Sequence, residues 1–341
     1  MENLYLDPSR IRAALRALDL RPTRGMGQNF LIDPVALDAI VSAAELTTGD
    51  TVVEVGPGLG VLTWELLRRV GHVVAVELDK RLAARLHEEF GQSPRLRVVQ
   101  ADILNVVPGQ LLDDHRPPTT DHRPEEPRTE NREPTALWAN KEQQAETGVI
   151  DDTQQVMPSL RRSSVVGRRS SYKVVANLPY AITSAALRHF LEAEHKPSMM
   201  VVLVQWEVAQ RITARPGDLS VLAHSVQIYA EPEIVARVPS SSFFPEPAVD
   251  SAVLRLHLRP HPAIDAGDVH KLMRVIKAGF LHARKKLSNA LPSGLASIGM
   301  RLEKEQVIAA LEDAGVDPGR RAETLTLEEW AAVYRRLEIG L

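Results

Sequence analysis

The amino-acid sequence predicts an α/β fold, in which helices cover both faces of a mainly parallel sheet and a small helical region follows. Three observations lead to this prediction. Short valine-rich runs alternate with segments of helical periodicity between residues 51 and 205. These runs are continuously apolar, as expected of parallel strands that are buried on both faces. The first run ends in a glycine-rich turn that leads directly into a helix, as in a βαβ unit.

The elements follow one another in a regular order. The pattern of residues 1–18 predicts an amphipathic helix. A signal peptide is not expected there, because charged residues interrupt every apolar stretch that it would need. Asp33 is expected to cap a second helix that has Pro34 in its first turn. Five strands then alternate with helices, and a terminal pair of strands comes last. The predicted strands are 50–56, 72–79, 96–102, 172–180, 198–205, 231–239 and 250–260.

Two further boundaries are predicted from composition. Residues 108–172 are rich in Pro, Arg, Glu, Ser and Thr, and we expect a largely disordered insertion there because such a segment buries little apolar surface. After residue 262 the pattern becomes helical. We therefore predict a first domain over residues 1–262 that contains the insertion, and a helical C-terminal domain over residues 263–341.

Bulk properties exclude several classes of protein. The 341 residues contain no cysteine, so disulfides, thiolate metal sites and a cysteine nucleophile are excluded. The longest apolar run, 199–204, is far shorter than the roughly 20 residues of a membrane span. Metal-binding spacing such as His-Glu-x-x-His is missing, so no metal is expected. The net charge of -3 gives no overall attraction to nucleic acid, but residues 271–286 carry six Lys or Arg and no acid.

Residues at three successive predicted strand ends point to a ligand that contains adenosine. Gly56, Gly58 and Gly60 follow the first strand, where missing side chains let a ligand approach the backbone. The spacing differs from the dinucleotide fingerprint, which disfavours a dehydrogenase. Glu77 ends the second strand and can accept both ribose hydroxyl protons, and Asp102 ends the third and can accept a proton from an adenine amino group.

The fourth strand ends in Asn177-Leu178-Pro179-Tyr180, the most specific signal in the chain. Adenine N6 is a poor nucleophile because its lone pair is delocalised into the ring. The Asn177 side-chain oxygen and the Leu178 carbonyl can accept the N6–H bonds, and Pro179 helps leave that carbonyl exposed. Tyr180 can stack on a base that has left its helical stack. Positioning and charge stabilisation, rather than a strong general base, are expected to drive the transfer of a methyl group to this nitrogen.

These motifs resemble the bacterial ribosomal RNA adenine N6,N6-dimethyltransferase family. The resemblance spans nearly the whole chain except the insertion, and its segments run in order: GQNFL, VEVGPGLGVLT, VELD, VVANLPY, QWEVAQRI, FFPEPAVDSAV, FLHARKKLSNAL and VDPGRRAETLTLEEW. It implies a Rossmann-like class I methyltransferase sheet, S-adenosylmethionine as cofactor, and dimethylation of two adjacent adenosines near the 3′ end of small-subunit (16S) RNA.

The resemblance also implies residue roles and partners. Asn29 and Leu31 would line the cofactor site with Gly56, Glu77, Asp102 and Asn177. Phe243 would be either a second stacking partner for the base or a core aromatic. The basic stretch 277–291 would face RNA phosphates. A monomeric cytoplasmic enzyme that acts on immature 30S subunits is expected, without DNA or a membrane as partner. The family usually has a lysine at the position of Trp206, and this difference is expected to alter an RNA contact or the wall near the site.

Three other functions fit parts of this pattern. A methyltransferase acting on large-subunit RNA would share the catalytic motifs, although the segment VDPGRRAETLTLEEW favours the small-subunit family. A DNA adenine methyltransferase would commonly show Asp-Pro-Pro-Tyr or Asn-Pro-Pro-Tyr at positions 177–180. A ribosome-assembly factor that acts mainly by binding would not need Asn177 or Tyr180, yet both are present.

Overall fold

A computed structural model describes residues 3–20, 29–112 and 171–338. Its centre is a seven-stranded sheet with the order β4-β3-β2-β5-β6-β9-β7, and a separate two-stranded ribbon joins β1 to β8. The described residues form nine strands, which are β1 Phe30–Leu31, β2 Thr51–Val55, β3 His72–Glu77, β4 Leu96–Gln100, β5 Tyr172–Asn177, β6 Met199–Gln205, β7 Ala230–Val238, β8 Phe243–Phe244 and β9 Ser251–Leu258.

Helices connect these strands and continue after them. In the described residues they are α1 Pro8–Ala17, α2 Pro34–Ala43, α3 Val61–Arg69, α4 Lys80–Phe90, α5 Thr183–Leu191, α6 Trp206–Ile212, α7 Val221–Gln227, α8 Val269–Phe280, α9 Leu287–Ser297, α10 Lys304–Asp313 and α11 Leu327–Glu338. The predicted cap is confirmed, because the Asp33 carboxylate accepts from the backbone N–H of Val35 at 2.8 Å at the start of α2.

The parallel part of the sheet consists of β4, β3, β2, β5 and β6, in agreement with the sequence prediction. The terminal strand pair is also present, but its arrangement was not predicted. β9 lies between β6 and β7 and pairs antiparallel with both. The strand that comes last in the chain therefore joins the parallel core, and β7 forms the outer edge.

Both ends of the predicted insertion need correction. Residues Pro108–Leu111 form a 3-10 helix in which Leu111 is buried, so this end of the predicted insertion is structured. Tyr172 is also buried and begins β5. The apolar side chains at 111 and 172 belong to the main hydrophobic cluster, which explains why the two ends are ordered. The rest of the predicted insertion, residues 113–170, lies outside the described residues.

The C-terminal helices share the main hydrophobic cluster with the sheet. That cluster continues from Val174 in β5 through Phe190 in α5 to Ile276 in α8 and Trp330 in α11. A second cluster fills the other face of the sheet under α2 and α3. None of the described helices is both long and apolar enough to cross a membrane.

Candidate active site

A cavity of about 460 Å³ opens at the carboxyl edge of the parallel strands. Its walls come from the segments that follow β2, β3, β4 and β5, together with the start of the β1 segment. Among the predicted site residues, the cavity is lined by Asn29, Leu31, Gly56, Gly58, Glu77, Asp102, Asn177 and Pro179. Residues that are far apart in sequence therefore meet at one sheet edge, as expected for ligand sites in such folds.

The glycine turn after β2 forms the cavity wall that lacks side chains. Gly56 and Gly58 both have left-handed backbones, with φ of 65° and 60°. A Cβ on Gly58 would lie 3.2 Å from the Phe30 ring, and one on Gly56 would lie 3.6 Å from the Pro179 ring. Larger residues would be strained here and would fill the space that the cavity needs.

Glu77 stands at the end of β3 and binds two backbone groups. Its Oε2 accepts from the Gly58 N–H at 3.0 Å, and its Oε1 accepts from the Asp79 N–H at 3.0 Å. Burial raises the pKa of Glu77, while these two N–H groups act in the opposite direction. Each oxygen keeps a further lone pair for a ligand hydroxyl.

Asp102 follows β4 and caps a short 3-10 helix, Ile103–Asn105. Its Oδ1 accepts from the Leu104 N–H at 3.0 Å, and its Oδ2 accepts from the Asn105 side chain at 3.2 Å. These bonds fix the carboxylate at the cavity wall. They leave acceptor capacity for an amino group.

The segment 177–180 leaves β5 at the mouth of the cavity. Asn177 Nδ2 donates to the Asn29 carbonyl at 3.0 Å, so the other end of the amide, Oδ1, is left as an acceptor. The Leu178 side chain is buried, and only its backbone can serve a ligand. The half-buried Tyr180 does not line the cavity; its hydroxyl is 2.8 Å from Ser251 Oγ, and burial raises its pKa.

Two further predicted site residues, Gly60 and Phe243, also lie outside the cavity wall. Gly60 does not line the cavity, because its α-carbon faces α4 and a Cβ there would lie 2.5 Å from the Phe90 ring. The need for glycine at this position comes from this packing and from its left-handed backbone, with φ of 87°. Phe243 is only 3% exposed and belongs to the second hydrophobic cluster, which favours its role as a core aromatic. A base could stack on Phe243 only if the ring left that cluster.

Sequence comparison identifies the family of the chain. Residues 21–338 match the family described as "Ribosomal RNA adenine dimethylase". The chain belongs to the ribosomal RNA adenine dimethylase family. A protein of Dehalococcoides mccartyi named "Ribosomal RNA small subunit methyltransferase A" is 40% identical over 311 residues, 91% of this chain and 87% of the relative. A protein of the same name from Moorella thermoacetica is 37% identical and covers 97% of this chain and 98% of its own length.

Solved structures of similar fold include two RNA-modifying enzymes. The 23S rRNA methyltransferase ErmE has a TM-score of 0.58 and 26% identity, covering 91% of this chain and 100% of its own. A dimethyladenosine transferase from Plasmodium falciparum has a TM-score of 0.61 and 20% identity, covering 89% and 95%. The second likeness supports the fold alone.

Membership of the ribosomal RNA adenine dimethylase family defines the reaction class. The protein is an S-adenosylmethionine-dependent methyltransferase that dimethylates adenine in ribosomal RNA. RNA is therefore its substrate. In residues 3–20, 29–112 and 171–338 there is no cluster of three or more His, Asp or Glu side chains arranged to hold a metal ion.

Several cavity residues of this rRNA dimethylase had no role in the sequence prediction, among them Glu54 and Leu78. Glu54, which lies in β2 two residues before Gly56, lines the cavity and is only 1% exposed. Burial raises the pKa of Glu54 to about 8. The hydrogen bond that Thr63 Oγ1 donates to Glu54 at 2.7 Å acts in the opposite direction and lowers that pKa. Leu78 lines the rim and is 66% exposed. The position of Leu78 directly after the acidic end of a predicted strand is a signal that the sequence contains. The burial of Glu54 depends on tertiary packing, which the sequence alone does not show.

Proposed function

We propose that the protein dimethylates N6 of two adjacent adenosines in the 3′-terminal hairpin of small-subunit (16S) ribosomal RNA. The observation that carries this proposal is the position of Asn177 and Pro179 on the wall of the cavity that also holds Glu77 and Asp102. The names of the relatives at 40% and 37% identity support the choice of the small subunit.

The cavity walls fit the parts of S-adenosylmethionine. Glu77 would accept the ribose hydroxyls, and Asp102 would accept the adenine amino group. The exposed Leu78 and the buried Ile103 both line the cavity and would enclose the adenine ring. The glycine turn leaves room for the remainder of the cofactor. A ligand with positive charge would counteract the effect of burial, which raises the pKa values of Glu54 and Glu77, and would stabilise the ionised forms of both acids.

The residues at 177–180 would hold the target adenine. S-adenosylmethionine supplies an electrophilic methyl carbon. Asn177 Oδ1 and the Leu178 carbonyl would accept the N6–H bonds and aim the nitrogen at that carbon, which is a positioning effect. The hydrogen bond from Asn177 Nδ2 to the Asn29 carbonyl keeps the amide in the required orientation. Tyr180, anchored through Ser251, would stack on the extruded base.

The C-terminal helical domain, predicted at residues 263–341, would contact the ribosomal subunit. Arg284, Lys285 and Lys286 lie side by side on its surface between α8 and α9, and all three are exposed. Such a cluster would attract RNA phosphates. We propose a monomeric cytoplasmic enzyme that meets immature 30S subunits and that also contributes to their assembly.

Methyl transfer to isolated ribosomal subunits tests the proposal. Unmethylated small subunits and large subunits should be incubated separately with labelled S-adenosylmethionine, followed by nucleoside analysis and mapping of the modified positions. Dimethyladenosine at two adjacent positions of the small-subunit RNA is expected. Transfer to the large subunit would instead favour the second candidate, a 23S RNA methyltransferase, which the likeness to ErmE brings into consideration. Tight binding without transfer would favour an assembly factor.

A further inference from the structure

Trp206, Arg237 and Asp250 form a cluster, here called the Trp206 platform, at the same sheet edge as the active site. β5 and β6 run parallel, with Asn177 opposite Leu203. Trp206 comes directly after β6, and therefore lies one strand away from Asn177 at the carboxyl edge. The Arg237 Cζ atom lies 4.8 Å from the centroid of the Trp206 ring, so the two side chains are stacked.

The arginine of the platform is held in place from one side. Asp250 Oδ2 accepts from Arg237 Nε at 2.9 Å and from Nη2 at 2.8 Å. The Ser240 N–H, together with Arg237, holds the pKa of Asp250 below its usual value, so the carboxylate stays ionised. The backbone carbonyl of Asp250 also accepts from the backbone N–H of Trp206 at 2.9 Å. The guanidinium is fixed over the indole, yet the Arg237 side chain remains 60% exposed.

The platform connects directly to Tyr180. Ser251, the residue after Asp250, is buried and bonds the Tyr180 hydroxyl at 2.8 Å. Consecutive residues of the chain, about 3.8 Å apart at their α-carbons, therefore anchor Tyr180 and Arg237. This proximity brings the platform within the reach of a nucleotide that neighbours one held at Tyr180.

The chemistry of the platform suits a nucleobase better than a phosphate. Bases of single-stranded RNA stack on aromatic rings and on guanidinium planes. The charge of Arg237 is already balanced by Asp250, which weakens its attraction for phosphate. We infer that the Trp206 platform binds, by stacking on Arg237, the base next to the target adenosine in an unpaired stretch of the RNA. This inference rests on the proposed function and adds a second base-binding position to it.

The test compares full-length variants on two RNA probes. Arg237→Lys keeps the charge and the partner Asp250 but loses the planar stacking surface, and Trp206→Leu removes the support beneath it. Arg255→Lys is the matched control, because Arg255 pairs with Glu233 across the same two strands at 2.6 Å. The probes are a single-stranded oligoribonucleotide with one adenosine at the target position and the same strand with abasic sites on both sides of that adenosine. Each RNA probe is titrated into each protein variant, and binding is followed by the change in tryptophan fluorescence.

We expect Arg237→Lys and Trp206→Leu to weaken binding of the intact strand about tenfold, the order expected for one stacked base. Neither change should weaken binding of the abasic strand, and Arg255→Lys should affect neither probe. Equal weakening for both probes, or no weakening at all, would overturn the inference, since a structural or phosphate-binding role predicts those results. Thermal unfolding of each variant shows whether the fold is retained.

The same preparations separate this inference from the proposed function. Wild-type protein is assayed in parallel for methyl transfer to small subunits. Absence of transfer by the wild type would count against the proposed function, while the difference between intact and abasic strands would still decide whether the Trp206 platform binds a base.

Discussion

At the scale of single residues, Glu77 serves the protein and the ligand at once. Its carboxylate already orients the Gly58 and Asp79 N–H groups. We expect Glu77→Ala to weaken the binding of S-adenosylmethionine by about 1.5–3 kcal/mol for each hydrogen bond lost to the ribose. Isothermal titration calorimetry measures this directly. Glu88→Gln, on the exposed face of α4, is the control, and unchanged affinity in Glu77→Ala would refute the ribose assignment.

Asn177 should affect catalysis more than cofactor binding. Asn177→Ala removes the proposed acceptor of N6–H, and transfer should fall by about a hundredfold or more, as for the loss of an oriented group in a transition state. The affinity for S-adenosylmethionine should change little, because other residues supply its main polar contacts. Single-turnover transfer and cofactor titration separate the two effects. A parallel loss of affinity and rate would show that Asn177 acts mainly in binding.

Some of the site residues predicted from local motifs line the cavity, and others do not. Gly56, Gly58 and Asn177 line the cavity because their positions depend on short segments at strand ends. Gly60 and Phe243 lie away from the cavity because their surroundings come from distant parts of the chain. Phe90 of α4 packs against Gly60, and β1 pairs Phe243 with Leu31. No sequence pattern within the glycine turn or within residues 243–247 specifies those partners.

At the scale of elements, α7 packs against two C-terminal helices through a buried histidine. His224 is 1% exposed and lies edge-on to Phe280 of α8 and Trp330 of α11. Neither of its ring nitrogens has a hydrogen-bond partner in the part of the chain that the structure describes. Burial lowers the pKa of His224 to about 4, so the ring is neutral at physiological pH.

This packing predicts a loss of stability in acid. The unfolded chain takes up a proton on His224 near pH 6.5, whereas the folded protein excludes it until about pH 4. The free energy of unfolding should therefore fall as pH falls, by about 2 kcal/mol between pH 6.5 and pH 5 through this residue. Urea unfolding at several pH values should show a smaller decrease for His224→Phe. The same decrease in both proteins would exclude His224 as its source.

The order of elements was only partly predictable. Parallel strands β2 to β6 follow from valine-rich runs that alternate with helices, since such connections allow few arrangements. The position of β9 between β6 and β7 does not follow from either strand, because antiparallel pairing is decided by contacts across the sheet. The β1–β8 ribbon has only two residues in each strand and gives no periodic signal.

At the scale of the whole molecule, the segment 113–170 separates two parts that together form one sheet. Replacement of residues 113–170 by a glycine/serine linker should preserve cofactor affinity and the unfolding temperature, because loop length changes stability only weakly. Replacement of residues 108–170 is the matched control and should destabilise the protein, since it removes the buried Leu111. Aggregation of the first variant would contradict the predicted independence of the fold from this segment.

The central position of β5 also has a consequence during synthesis. β2, β3 and β4 are complete by residue 100, yet the neighbour of β2 on its other side begins only at Tyr172. At translation rates of about 5–20 residues per second, this edge stays open for several seconds. An unpaired edge strand readily recruits other chains. The nascent polypeptide is therefore most exposed to misassembly before its second half emerges, when a chaperone would have the greatest effect.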